Sequence, residues 1–135
     1  MDKNTIFDKL QALSVISTEL DGYAEPLNAT IDTLNAMLTS IRLGVTAWVA
    51  NTIEPVVKLG YSKIDNKWGL GIRCDNQLWQ FNSSPRGFRL IAIALLPDLL
   101  DALLINANIM LHDVQEATAT VTVINEAIGK IRNEV

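Results

Sequence analysis

One cysteine, Cys74, and one histidine, His112, are all that the 135 residues contain of the two side chains most often found at reactive and metal sites. A lone cysteine excludes an intrachain disulfide and a cysteine-based metal cluster, and it fits a reducing compartment. With one of each, neither a Ser-His-Asp nor a Cys-His arrangement has support. Glycine is also sparse, and Gly69-Leu70-Gly71, followed by Ile, Arg and Cys, lacks the rest of any phosphate-loop fingerprint. Charged residues make up only 19% of the sequence. Those that could serve a carboxylate metal site (Asp98, Asp101, Asp113, Glu116) fall on outer or flanking helix positions without Glu-x-x-His spacing. No catalytic group, cofactor or metal ion is therefore expected, and the protein reads as non-enzymatic.

Long apolar runs are missing too. Leu90 to Leu96 is the longest and stops at Pro97-Asp98, far short of the ~20 residues that span a bilayer. The N-terminus, Met-Asp-Lys-Asn-Thr, has no basic region ahead of an apolar core. A cytoplasmic protein with no membrane partner is the expectation. The net charge of −4 argues against coating nucleic acid, because such binding neutralises phosphates.

What the sequence has in quantity is apolar residues, 49% of the total, in two long 4-3 repeats. From Leu96 the steps of four and three land on Leu100, Leu103, Ala107, Met110 and Val114, then continue without failure to Ile131 and Val135. From Ile6 the same steps reach Trp48, and only Ser17 is polar. Such a repeat keeps one helical stripe against a partner. Pro26 interrupts the first repeat without resetting its phase, which predicts a kink on the outer face and no break. Asn4 or Thr5 can cap the start.

Between the helices the period changes to two. Val57, Leu59 and Tyr61 alternate with Lys58, Gly60 and Ser62, and Trp68, Leu70, Ile72 and Cys74 form a second run. Trp79 and Phe81 form a third, with Asp65-Asn66 and Asp75-Asn76 as turns between the runs. Gly60, Gly69 and Gly71 share a face, left bare for a packing helix or a ligand groove. Residues 88–94 fit either a buried strand or a helix. Ser84-Pro85 as a helix start and the alanines favour helix.

The expected fold is α+β and a single domain over 1–135, with a helical stalk (1–50 and 96–135) and a β head (51–95). Two long antiparallel coiled-coil-like helices, about 4–50 and 84–133, kink near Pro26 and Pro97. A three-stranded antiparallel β-meander, about 54–82, joins them. One register aligns the whole seam, with Ile6 beside Val135, Ala24 beside Ala117 and Leu34 beside Ala107. The seam is flanked by apolar Ile16, Tyr23 and Met37 on helix 1 and by Leu99, Leu104 and Leu111 on helix 2, where a self-sufficient hairpin carries charge. That widened stripe predicts a homodimer in a four-helix bundle, or a protein partner docking through the helices. The function expected is a scaffold or small acidic chaperone-like interaction protein.

Charge adds an alternative. The segment from Glu54 to Ala94 carries a net +3 and the remainder −7. A basic head bearing Arg73, Arg86 and Arg89 beside Trp68 and Trp79 could hold an anionic ligand such as a phosphate, a carboxylate or a nucleic acid end.

Overall fold

The computed structural model describes residues 2–134 and is α+β. It divides into two compact units, Met1–Ile41 and Arg42–Val135. The expected pairing of Ile6 with Val135 involves a residue outside the described ones.

The first unit is helix α1 (Lys3–Ile41). Asp2 caps it, in place of Asn4 or Thr5. Its Oδ1 accepts the N–H of Asn4 at 2.6 Å and that of Thr5 at 3.1 Å, satisfying donors that a helix start leaves open. The helix runs through Pro26, in keeping with the unbroken phase. It stops at Ile41, well before residue 50. Arg42 adopts φ 55° and Gly44 φ 65°, the left-handed geometry that commonly closes helices.

In the second unit the sheet has four strands where three are expected from the sequence. They are β1 (Ala47–Ala50), β2 (Lys58–Ile64), β3 (Lys67–Cys74) and β4 (Gln77–Gln80), in spatial order β1-β2-β3-β4 and antiparallel throughout. The additional strand is β1, whose Trp48 continues the heptad phase only by coincidence of spacing. Asp65 and Asn66 both take positive φ, 50° and 67°, giving the two-residue turn whose twist suits a hairpin. That turn fixes the β2–β3 register: Tyr61 faces Leu70, Gly60 faces Gly71 and Lys58 faces Arg73.

After β4 a short 3-10 turn (Phe81–Ser83) leads into helix α2 (Arg86–Ala94) and then α3 (Leu96–Glu134). Residues 88–94 are thus helical. The expected single helix over 84–133 is instead two, parted at Leu95, and Pro97 lies in the first turn of α3, where a proline removes no intrahelical bond. The Ser84 hydroxyl donates to the Phe81 carbonyl at 2.7 Å and so serves the preceding turn, and no side chain caps the start of α2.

One face of the sheet carries Leu59, Tyr61, Leu70 and Ile72, all but fully buried. Against the sheet lie α2 and the start of α3, which bring in Ala92, Leu95, Leu99 and Leu103. Asn106 Nδ2 donates to the Thr46 carbonyl at 2.8 Å and ties α3 to the approach of β1. From Asn108 to Glu134 every residue is exposed except the half-buried Gly129.

Candidate functional site

The opposite sheet face is set by glycines. Gly60 and Gly71 face each other across β2 and β3, and neither supplies a side chain. At these two glycines the space is filled by side chains of the sheet, where a packing helix or a ligand groove is expected from the sequence. The indole of Trp48 lies so close on Gly60 that a Cβ there would overlap its six-membered ring, and Ile64 Cδ1 covers Gly71 in the same way. This close approach requires glycine at both positions. Trp48 in turn carries Arg73, whose guanidinium carbon lies 5.1 Å from the ring centroid, within cation–π range.

Beside that stack is a cleft of about 200 Å³ lined by Val56, Lys58, Arg73 and Asp75. Lys58 and Arg73 are direct cross-strand partners, an arrangement in which like charges repel. One wall is held by Asn51. Its Nδ2 donates to the carbonyls of Ile53 (2.8 Å) and Pro55 (3.1 Å), and its Oδ1 accepts the Val57 N–H at 2.7 Å. A backbone bond from Asn51 N–H to the Val57 carbonyl closes the loop.

The five residues expected to form an anion site do not converge. Trp68 and Trp79 lie on the helix-facing side of the sheet, where Trp68 stacks on Tyr61 and Trp79 tilts against Phe88 of α2, both with ring centroids 5.6 Å apart. Their partners make them packing residues of that side. Arg73 projects from the other face. Arg86 and Arg89 sit on α2, Arg86 exposed and Arg89 half-buried, and both have partners within the protein. Of the five, only Arg73 lines the cleft. Sequence reasoning misses Val56, Lys58 and Asp75 of the lining, and Trp48 beside it. The signal for Lys58 is present, because a two-residue turn at Asp65-Asn66 obliges Lys58 to face Arg73.

The helices offer a different surface. Among the described residues 27 large hydrophobic side chains are exposed, 11 on α1 and 12 on α3, so exposed apolar surface is concentrated there. Ile16, Tyr23, Met37, Leu104 and Leu111 are all exposed. Leu99 is not available to a second copy. The first turns of α3 pack on the sheet, and Leu99 is fully buried in that core. His112 is exposed, with its Nε2 3.1 Å from Glu116 Oε1 one helical turn on. Among the described residues no helix is long and apolar enough to cross a membrane. Comparison with protein-family models, curated proteins and solved structures finds no match.

Proposed function

We propose that the protein is a non-enzymatic assembly module: a homo-oligomeric scaffold or small chaperone-like protein, most simply a dimer, that acts through α1 and α3. The observation that carries this reading is the exposure of the 4-3 stripe on α3, with Met110, Val114, Val121, Ile124, Ile128 and Ile131 each between 43% and 64% accessible. Soluble monomers rarely leave contiguous apolar patches beyond a few hundred Å². A 39-residue helix runs about 58 Å at 1.5 Å per residue, long enough for the seam of a four-helix bundle. Stripe residues of α1, including Ile6, Leu10, Leu13 and Leu20, are exposed in the same manner, and in the bundle they supply the second pair of helices. Large residues of one stripe then meet small ones of the other, as Leu34 meets Ala107.

Sedimentation velocity of the full-length protein tests this. At about 10 µM, a concentration suited to an interface of ordinary size, the wild type should sediment as an oligomer. The double variant Val121→Asp, Ile124→Asp should sediment as a monomer while its near-ultraviolet circular dichroism, which reports the tryptophans of the sheet, stays unchanged. A monomeric wild type, or a variant that sediments as the wild type does, refutes the proposal.

A further inference from the structure

The geometry points to a second, independent site: the cleft between Lys58, Arg73, Asp75 and Val56 binds the carboxylate of a small monoanionic ligand that bears a short apolar substituent. Lys58 and Arg73 stand opposite each other on adjacent strands, and like charges so placed destabilise a sheet unless an anion lies between them. Asp75 lines the same cleft, yet among the described residues no ion pair joins it to either cation. Two positive groups and one negative leave a single net positive charge. A monoanion balances it, whereas the second charge of a phosphate dianion would be repelled by Asp75.

The cleft is also preorganised. Gly60 lets the Trp48 indole lie flat, and the indole holds the Arg73 guanidinium against its face. A guanidinium stacked in this way keeps its N–H edge for a bidentate carboxylate, the geometry in which arginine exceeds lysine. Asn51 fixes the loop that presents Val56, the apolar wall for the substituent. A space of about 200 Å³ suits a small aliphatic acid or the last residue of a peptide. The carboxylate is common to both sources.

The test is a titration of the ¹⁵N-labelled full-length protein at constant ionic strength with sodium butyrate, N-acetyl-alanyl-valine or inorganic phosphate. Butyrate or the peptide should shift the Trp48 indole N–H and the amides of Val56, Lys58 and Arg73 saturably in the millimolar range, with phosphate weaker. Arg73→Gln should weaken binding roughly tenfold, the size of one charge-assisted hydrogen bond. Asp75→Asn should bring phosphate up to the level of butyrate. Tighter binding of the peptide assigns the carboxylate to a polypeptide terminus, tighter binding of butyrate to a free acid, and saturation in either arm supports the site. Non-saturating shifts shared with Lys63 and Lys67, or unaltered affinity in Arg73→Gln, overturn it. The aspartate double variant of α3 should bind butyrate as the wild type does, so failure of the assembly reading and failure of this site are separately visible.

Discussion

Replacing Gly60 with alanine puts the packing of the outer sheet face to a direct test. The new Cβ would overlap the Trp48 ring, so one of two things must yield. If the ring stays, the site is overpacked, at a cost of about 1–3 kcal/mol. If the ring swings into solvent, the half-buried indole gives up on the order of 100 Å² of burial, about 2.5 kcal/mol at ~25 cal/mol/Å². Both routes cost about 2 kcal/mol, and the second also detaches Arg73 from its aromatic platform. In a Trp48→Ala background nothing remains to clash, and Gly60→Ala should then be neutral or stabilising by about 0.5–1 kcal/mol, because alanine loses less backbone freedom than glycine on folding. The cycle therefore predicts a coupling of roughly 2–3 kcal/mol between the two positions. Urea unfolding followed by far-ultraviolet circular dichroism, at one fixed protein concentration, measures all four proteins on the same scale. An equal cost of Gly60→Ala in both backgrounds would refute the role given to Trp48.

Two further substitutions separate local from core effects. Asn51→Ala removes three side-chain hydrogen bonds from the β1–β2 loop and should cost about 1–3 kcal/mol, with faster hydrogen exchange at the Val57 amide. Asn51→Asp keeps the acceptor and loses both donors, so an intermediate loss is expected; an exchange rate at Val57 equal to that of wild type in the alanine variant would show that the loop is held by other means. Leu99→Ala opens a cavity in the sheet–helix core and should cost about 2–5 kcal/mol. Because Leu99 is buried within its own unit, that loss should be the same at dilute and concentrated protein, whereas a growing loss on dilution would return Leu99 to the oligomer interface.

The two repeats and the turns are legible in the sequence because each rests on local chemistry. A 4-3 apolar spacing forms one helical stripe whatever lies around it, and its constant phase across Pro26 correctly implies a continuous helix. Asp65-Asn66 reads as a tight turn because both residue types tolerate positive φ, as both show. The end of α1 is not legible from periodicity. Val45 and Trp48 extend the heptad phase, yet Val45 lies buried in the irregular segment ahead of β1, and within β1 Ala47 is buried while Trp48 is half-buried on the other side of the pleat. Over so few residues a 4-3 step and an alternation of two both touch apolar positions, and the deciding event is the left-handed backbone at Arg42 and Gly44. The candidate site fails for a related reason. Charge and aromatic content group Arg73 with Trp68 and Trp79, but residues of opposite parity on one strand face opposite ways. Trp48, which does meet Arg73, is assigned to the helix by the same heptad phase.

The threonines on the outer and flanking positions of the long helices bear on how assembly can be specific. On α1 the hydroxyls of Thr18, Thr30, Thr33 and Thr39 donate to carbonyls four residues earlier, and on α3 those of Thr118, Thr120 and Thr122 do the same. Each hydroxyl is satisfied inside its own helix and asks nothing of a neighbour. Charges that would select a partner by pairing beside the seam are equally scarce: over Asn108–Glu134 the flanking positions carry only Asp113, Arg132 and Glu134. Affinity in a bundle of this composition must then come from apolar burial, and register from the alternation of large and small seam residues. Such a seam discriminates weakly among apolar helices of similar shape. The charged residues proposed to hold a carboxylate lie elsewhere, Lys58 and Arg73 on the sheet and Asp75 in the turn after β3. On this reading the helices govern how many copies associate, and the sheet face governs what the assembly holds.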